Sequence, residues 1–207
     1  MDYSSQRLGW KLQKVRRYVG LYGLSRTLTK VRAQRHMHRR YAALPENPGP
    51  ARPGGHVGII GCGQFGYSTI AYYLRRNYGR IIRACMDKDV HRAASLFERY
   101  GLRYYTDDAE QIIADPAIDI IYVASNHASH AEYAIAALRG GKAVHIEKPH
   151  AVTEDQLRRL CEAMEQTGGK VALGFNRPDS AFGELIREHL YAEEGAAMFN
   201  WFIAGHR

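Results

Sequence analysis

A glycine-rich turn that directly follows a short apolar run constrains the fold of this chain more than any other feature. The stretch HVGIIGCGQFG, residues 56–66, places Gly61, Gly63 and Gly66 at G-x-G-x-x-G spacing behind the run VGII. This pattern predicts a strand, a tight turn and the start of a helix. The first glycine lets the backbone turn sharply, the second leaves room for a pyrophosphate, and the third lets the helix pack closely on the strand. The phosphates would lie against the N–H groups at the helix N-terminus.

An acidic residue at the expected distance strengthens the interpretation of these glycines as a dinucleotide site. Asp87 ends the next apolar run, 21 residues after Gly66, and a ribose-binding carboxylate is expected roughly 20 residues on. Its charge favours NAD, because it would repel the 2′-phosphate of NADP. Lys88 could offset that repulsion, so NADP is the alternative cofactor. An ordinary structural turn is the alternative explanation of a lone glycine triplet.

The composition excludes several other classes of protein. The chain has 207 residues and is 45% hydrophobic, without any apolar run near the roughly 18 residues that a membrane span needs and without an apolar signal core. Its three cysteines, Cys62, Cys85 and Cys161, are scattered and lack metal-ligand spacing, so no metal site is predicted. They are predicted to be small buried residues in a reducing compartment, which makes the cytoplasm the expected location.

The net charge of +8 is confined to the N-terminal quarter of the chain. Residues 1–52 contain 12 Lys/Arg but only Asp2 and Glu46, a net charge of +10, and the remainder carries −2. Because the part with the glycine motif is nearly neutral, nucleic acid binding is not expected there.

Residues 1–43 are predicted to be a basic amphipathic helical extension. One helix is expected up to an interruption at Gly20 and Gly23, and a second over residues 24–40. Two interpretations stay open: the extension packs on its own domain or a sister subunit, or it docks on an anionic membrane surface or an acidic partner. The predicted apolar face of the first helix consists of Leu8, Leu12, Val15, Val19 and Tyr22.

Beyond a Pro/Gly-rich segment at residues 44–55, predicted to be a linker and a domain boundary, strands and helices alternate. The predicted strands are 57–60, 81–86, 102–105, 118–124, 143–146 and 171–175, with 118–124 buried on both faces. Helices are predicted over 67–78, 91–100, from Asp107 or Asp108 to before Pro116, over 127–138 and over 154–167. The last is expected to begin with a capping box of Thr153 and Gln156 and to carry a stripe of Leu157, Leu160, Cys161 and Met164. This alternation predicts an α/β fold, a Rossmann-type doubly wound parallel sheet over residues 56–176.

Two polar stretches follow the fourth and fifth predicted strands. They read ASNHASH, residues 124–130, and EKP, residues 147–149, and both fall at the carboxyl ends of strands, where such sheets bind ligands. With the glycine motif, they resemble the Gfo/Idh/MocA family of NAD(P)-dependent sugar oxidoreductases, the glucose-fructose oxidoreductase and inositol dehydrogenase group. The likeness covers about residues 55–179.

The resemblance implies roles for particular residues. Lys148 would lie beside the nicotinamide and the substrate hydroxyl and assist proton transfer, which requires partial burial or a nearby positive charge, while Glu147 would orient it. Asn126 and His130 match the family's nicotinamide segment, although Ser125 stands where the family has proline. The cofactor-binding residues expected on this basis are Gly61, Gly63, Gln64, Phe65, Gly66, Asp87, Lys88, Asn126, His127, His130, Glu147 and Lys148.

A structural explanation is the alternative for several of these residues. Asn126 could cap the following helix, His130 could be a helix-surface histidine, and Lys148 a salt-bridged surface lysine. His145 is expected to be structural. Asn176 and Arg177, at the crossing into the second domain, could contact the substrate, or Arg177 could form a plain salt bridge.

The resemblance also defines what the chain is expected to do. It implies hydride transfer between a nicotinamide cofactor and a sugar or cyclitol hydroxyl, and a homo-oligomer where the C-terminal domain is complete. Family members continue for over a hundred residues after the sixth strand, whereas residues 177–207 are expected to be only the start of that α/β domain, without the family's downstream Asp and His. A truncated or split member is therefore expected. The competing function is a non-catalytic dinucleotide-binding module, a sensor or assembly subunit, that docks through its basic N-terminal helix.

Overall fold

The structure is a computed structural model that describes residues 8–175, 180–192 and 195. The chain falls into two compact units, residues 1–173 and 174–207. Asn176 and Arg177 lie outside the described residues, as do residues 196–207. In the second unit the described element is helix α8, Ala181–Ala192.

The first unit is built on a six-stranded parallel sheet in the order β3-β2-β1-β4-β5-β6. This order confirms the predicted doubly wound α/β fold, in which the chain starts at the centre and fills one half of the sheet before the other. All strands run parallel, but the order in which the chain adds them reverses between β1 and β4, so a crevice opens at the carboxyl ends of these two strands,. The strands are β1 Val57–Ile60, β2 Ile82–Met86, β3 Tyr104–Thr106, β4 Ile120–Val123, β5 Ala143–Ile146 and β6 Val171–Leu173.

In the described part of the chain two helices precede β1, and those after it connect the strands and cover both faces of the sheet. These helices are α1 Leu8–Tyr22, α2 Leu24–His38, α3 Ala71–Tyr78, α4 Val90–Tyr100, α5 Ala109–Ile113, α6 His130–Arg139 and α7 Glu154–Thr167. A π-helical turn, Gly66–Ile70, leads into α3, and a 3₁₀ turn, His127–Ser129, leads into α6. Asp89, Asp108 and Thr153 cap α4, α5 and α7, as their side chains accept a backbone N–H two or three residues on,.

Two apolar cores lie on opposite faces of the sheet. Ile59 and Leu96 belong to the core beneath α3 and α4, whereas Ile60, Ile121 and Leu160 belong to the core beneath α5, α6 and α7. Neighbouring residues of a strand point to opposite faces, which is why Ile59 and Ile60 enter different cores.

Several predictions about burial are wrong in detail. Strand β4 alternates half-buried and buried residues rather than being buried on both faces, because Tyr122 packs beside His145 at the sheet surface. In α7 the buried residues are Gln156, Leu160 and Ala163. Cys161 is an exposed free thiol, whereas Cys62 and Cys85 are buried as predicted.

The N-terminal extension forms two helices, and the second packs on the domain that carries the glycine motif. Gly20 lies inside α1, so only Gly23, with φ 82°, separates the helices. Of the predicted apolar face of α1, Leu12, Val15 and Tyr22 are exposed. Helix α2 inverts the usual amphipathic pattern: four of the five residues it buries are polar, and its apolar side chains Leu24, Leu28 and Val31 are exposed. The buried residues of α2 are Arg26, Thr27, Thr29, Ala33 and His36.

The Pro/Gly-rich segment at residues 44–55 is held against the sheet domain by hydrogen bonds. The Arg83 guanidinium donates to the carbonyl oxygens of Pro50 at 2.5 Å and Arg52 at 2.9 Å, and the Tyr105 hydroxyl donates to Pro45 O at 2.7 Å. The segment and the extension therefore belong to the same compact unit as the sheet.

Two kinds of feature are absent from the described residues. Among them, no helix combines the length and the apolarity needed to cross a membrane. Nor does that part of the chain bring three His, Cys, Asp or Glu side chains together as a metal site.

Candidate functional site

The glycine-rich turn leaves β1 at the crevice and has the geometry that a phosphate cradle requires. Gly61 has φ 102°, in the left-handed region that favours glycine,, and a side chain there would overlap the Ala124–Ser125 peptide. A side chain at Gly66 would overlap the carbonyl oxygen of Gly61. Gly63 differs, because a methyl group there would meet no atom within 4 Å. Two glycines are thus needed for packing, and the third faces open space beside the helix start.

Asp87, at the end of β2, ties the strand to the glycine turn. Its carboxylate accepts the backbone N–H of Cys62 at 2.8 Å and that of Asp89 at 2.9 Å. A carboxylate oxygen carries two lone pairs, so each oxygen can still accept a second hydrogen bond from a ribose hydroxyl. Asp87 therefore shapes the turn and also lines the space next to it.

A cleft of about 370 Å³ opens between the ends of β1, β2 and β4. It brings together five residues predicted for the cofactor: Gly61, Gly63, Asp87, Lys88 and Asn126. Gln64, Phe65, Gly66, His127, His130, Glu147 and Lys148 do not line it. The remaining lining residues are Met86, Asp89, Arg92, Ala124, Ser125, Ser129 and Tyr133.

Arg92 is a cleft residue that the sequence analysis missed. It lies in the first turn of α4 with its Nε 3.3 Å from an Asp89 carboxylate oxygen, and that buried nitrogen has no hydrogen-bond partner in the described structure. The signal available in the sequence was its position five residues after Asp87, at the start of the helix that follows β2. With Lys88, it brings positive charge to the end of the cleft where a ribose would bind Asp87.

The loop after β4 is held by serines. The hydroxyl groups of Ser125 and Ser129 lie 2.8 Å apart, and the Ser129 hydroxyl donates to Asn126 O at 3.0 Å. These bonds fix the loop at the position where the resemblance leads one to expect proline. The Asn126 side chain makes no capping hydrogen bond, so the helix-cap alternative for this residue is wrong, and Asn126 lines the cleft instead.

His130 is buried, which corrects the interpretation of this residue as a helix-surface histidine. Its ring is 1% exposed and lies behind the cleft wall. Nδ1 is 2.7 Å from Pro149 O and Nε2 is 3.1 Å from Ser125 O. The ring thus lies between the loops that follow β4 and β5, with one nitrogen facing a carbonyl oxygen of each loop.

Glu147 and Lys148 follow β5, which lies one strand further from the glycine turn than β4 does. Glu147 N–H donates to Val123 O at 2.9 Å, and its carboxylate lies 3.4 Å from Nε2 of His145, which in turn stacks on Tyr122. Lys148 is exposed and precedes a cis peptide bond to Pro149. The described residues do not supply the partial burial that the proposed proton transfer requires.

His36 is a second residue that the sequence analysis missed, and it contacts the glycine turn from the extension. It is 2% exposed, its Nε2 lies 2.6 Å from Cys62 O, and its ring stacks on Tyr67 with centroids 4.1 Å apart. Burial lowers the pKa of His36, although the Cys62 carbonyl and the charge of Asp87 oppose this shift. The lowered pKa favours the neutral ring, and because a carbonyl oxygen can only accept, it is Nε2–H that donates to the turn. No motif marks such a long-range contact in the sequence.

This combination of features defines a class of protein. The unit of β1, turn and helix has two packed glycines and one open glycine. A carboxylate lies at the end of β2, and a cleft opens where the order of strands reverses. Together these features define a dinucleotide-binding Rossmann domain. The cradle at Gly63 fits a pyrophosphate, and the cleft walls supply a carboxylate for a ribose.

The chain belongs to the Gfo/Idh/MocA oxidoreductase family with the NAD-binding Rossmann fold, whose sequence profile matches residues 56–175. It is 38% identical over 136 residues to inositol 2-dehydrogenase 2 of Saccharopolyspora erythraea, covering 64% of this chain and 40% of that protein. It is 31% identical over 135 residues to D-glucoside 3-dehydrogenase of Escherichia coli K12, covering 65% of this chain and 38% of that protein.

A solved structure agrees with the fold. An NAD binding oxidoreductase from Klebsiella pneumoniae superposes with a TM-score of 0.60 at 26% identity, over 68% of this chain and 39% of that one. The chain thus spans about 40% of the length of the curated relatives it matches.

Proposed function

We propose that this chain binds NAD in the cleft and contributes to hydride transfer between the nicotinamide and a hydroxyl-bearing carbon of a sugar or cyclitol. The observation that carries the proposal is the open space at Gly63, directly beside the turn that Gly61 and Gly66 pack tightly. The inositol and glucoside dehydrogenase names of its relatives support the substrate class. When bound, the nicotinamide would accept or supply the hydride.

The proposal gives each part of the cleft a task. The turn N–H groups bind the pyrophosphate, Asp87 accepts from the ribose hydroxyls, and Asn126 borders the path toward β5. NAD is the proposed cofactor because Asp87 and Asp89 both place carboxylates near the ribose end, although Lys88 and Arg92 keep NADP as the alternative.

For the reaction itself we propose Lys148 as the group that takes or returns the hydroxyl proton, with Glu147 orienting it. Both residues follow β5, on the side of the cleft away from Asp87 and hence towards the nicotinamide end of an extended dinucleotide.

Other expectations from the family resemblance stay proposals. Asn176 and Arg177 are proposed to contact the substrate, and the second unit is proposed to form a homo-oligomer. The cytoplasm stays the proposed location, which the exposed free thiol of Cys161 supports,.

A single methyl group tests the cofactor site. In Gly63→Ala the added carbon touches no protein atom but occupies the space proposed for the pyrophosphate. We expect NADH, followed by its fluorescence enhancement, to bind the unaltered chain saturably and more tightly than NADPH, and to bind Gly63→Ala at least tenfold more weakly.

Gly20→Ala is the matched control, because its methyl group also meets nothing within 4 Å and lies in α1. It should leave NADH affinity unchanged, and both variants should keep the melting temperature of the parent. Equal NADH affinity of Gly63→Ala and the parent chain would contradict the proposed site.

A further inference from the structure

A second cavity lies between the N-terminal extension and helices α3 and α4. Its volume is about 590 Å³. Residues 22–25 form one wall, and the other wall consists of Arg75 and Arg76 from α3, Arg99 from α4, and the rings of Tyr72 and Tyr100. We name it the arginine pocket. It shares no lining residue with the NAD cleft, so the family's cofactor chemistry does not explain it.

The charges of the arginine pocket are not balanced by the protein. No Asp or Glu lines it, and among the described residues none of Arg75, Arg76 and Arg99 forms an ion pair with a carboxylate. Three guanidinium groups around one cavity repel one another, and an anion between them would remove that repulsion.

Two buried donors add to this imbalance. Nη1 of Arg75 and Nη1 of Arg26 are buried without any hydrogen-bond partner in the described structure. Arg26 is 6% exposed and packs over Tyr72, a ring of the pocket, at 5.1 Å, while its Nη2 donates to Thr69 at 3.0 Å. Buried polar groups normally find partners, and a buried unpaired charge is costly. The protein thus keeps a fourth guanidinium next to the pocket without a carboxylate to neutralise it.

The positive field extends along the same side of the domain. An adjacent cavity of about 570 Å³ is lined by Arg32, Arg35 and Arg39 of the extension together with Arg99. Its single acidic residue, Glu98, is already engaged by Arg39 at 2.9 Å. An anion approaching this side therefore meets an excess of arginine.

We propose that the arginine pocket binds a phosphate monoester group. The planar guanidinium donates two parallel hydrogen bonds that match phosphate oxygens, and several arginines can share one dianion. The pocket rim is apolar: Leu24 is 62% exposed and Tyr22 is 53% exposed. A phosphorylated lipid headgroup would use both the arginines and this rim, whereas a soluble phosphate monoester would use the arginines alone.

The test uses two probes that carry the same phosphate monoester group. Glycerol 3-phosphate is titrated calorimetrically, and vesicles of phosphatidylcholine with phosphatidic acid are co-sedimented with the chain. Vesicles with phosphatidylglycerol, a phosphodiester, serve as the lipid comparison. Binding of glycerol 3-phosphate identifies a soluble ligand, and binding of phosphatidic acid vesicles without it identifies a lipid. Failure of both probes would overturn the proposal, as would equal binding of the two anionic vesicles.

The variant Arg76→Gln/Arg99→Gln removes two charges from exposed side chains of the pocket and should lower the affinity for the probe that binds at least tenfold. Arg139→Gln/Lys170→Gln removes two charges from exposed positions that line neither cavity, and it should leave that affinity unchanged. Equal weakening by both double variants would show non-specific attraction and overturn the proposal.

The arginine pocket and the NAD cleft can be tested separately. Arg76→Gln/Arg99→Gln should keep the NADH affinity of the parent chain, and Gly63→Ala should keep the binding of the phosphate probe. If Gly63→Ala abolished probe binding, the phosphate would be in the NAD cleft, and the arginine pocket would be refuted while the proposed function stood.

Discussion

Single residues after the strand ends decide what the cleft can do. His130 matches a family motif, yet its ring is buried and both its nitrogens face loop carbonyls. Lys148 matches a neighbouring motif and is exposed. The same kind of sequence match thus marks a positioning residue in one case and an accessible amine in the other, because burial depends on what packs above each position.

Lys148→Ala tests the proposed proton transfer. If the proposed activity is assayed with inositol and with a D-glucoside as probe substrates, NADH formation at 340 nm should fall about 10²- to 10⁴-fold in kcat, the usual contribution of general acid–base catalysis. NADH affinity should stay within about threefold, because Lys148 does not line the cleft. Lys170→Ala removes another exposed lysine and should retain activity. Unchanged turnover in Lys148→Ala would remove this lysine from the mechanism.

At the scale of elements, helix α2 contacts the glycine turn from behind although it lies outside the Rossmann sheet. From its buried polar face, His36 contacts the glycine turn at Cys62, and Arg26 contacts Thr69 in the π-helical turn that leads into α3. Next to it, Arg40 lies 3.2 Å from Asp89, a cleft residue. The extension therefore supports two sides of the cleft from behind.

His36→Phe tests this support. Phenylalanine can keep the stacking on Tyr67 but cannot donate to Cys62 O. The loss of one buried hydrogen bond costs about 1 kcal/mol, so NADH affinity should fall about fivefold. Glutamine can place an amide N–H near the position of Nε2, so His36→Gln should recover most of the affinity. His38→Phe, at the exposed end of α2, should bind NADH like the parent. A fall in melting temperature without any change in NADH affinity would limit His36 to a structural role.

At the scale of the whole first unit, one buried cluster joins parts that are distant in sequence. The carboxylate of Asp115 accepts from Arg83 at 2.6 Å and from the Tyr104 hydroxyl at 2.9 Å. Lys142 donates to the backbone carbonyl of Asp115 at 2.8 Å. Because Arg83 also binds carbonyls of residues 50–54, the cluster connects the Pro/Gly-rich segment to β2, β3 and the turn before β5.

Asp115→Asn should therefore destabilise the first unit. Burial by itself would raise the pKa of Asp115, but hydrogen bonds from Arg83, the Ala117 N–H and Tyr104 outweigh it and lower the pKa. The loss of the buried partner of Arg83 should cost about 3 kcal/mol of unfolding free energy, measured by urea denaturation at pH 7. Asp119→Asn, at an exposed neighbouring position, should change it by less than about 0.5 kcal/mol.

The same cluster predicts a dependence on pH. The folded pKa of Asp115 lies below its unfolded value of about 3.9, so the carboxylate stabilises the fold fully above that value. This stabilisation is lost as the pH falls through the folded pKa. The difference in melting temperature between the parent and Asp115→Asn should thus be constant from pH 7 to 5 and shrink below about pH 4. A constant difference down to pH 2 would contradict the assignment.

The sequence by itself determined the sheet and the location of the cleft. The order of strands and helices, the glycine spacing and Asp87 are local patterns, and the geometry of a parallel sheet places the ends of its strands at one edge. Helix starts were equally local: Thr153 caps α7 as its spacing with Gln156 predicts. Strands β1 and β5 keep their predicted bounds, and the bounds of the other four shift by one or two residues, because pairing with neighbours rather than apolar composition decides where a strand ends.

Only the tertiary structure decided which side chains meet across the chain. His36 reaches Cys62 over 26 residues, Arg83 reaches Asp115 over 32, and Arg26 reaches Thr69 over 43. No local pattern encodes such pairs, because each depends on how two separately predictable elements pack. The buried polar face of α2 could not be predicted for the same reason. An amphipathic helix considered alone would be expected to bury its leucines. The surface next to the glycine turn instead offers a carbonyl, a hydroxyl and aromatic rings, which pair with arginine and histidine.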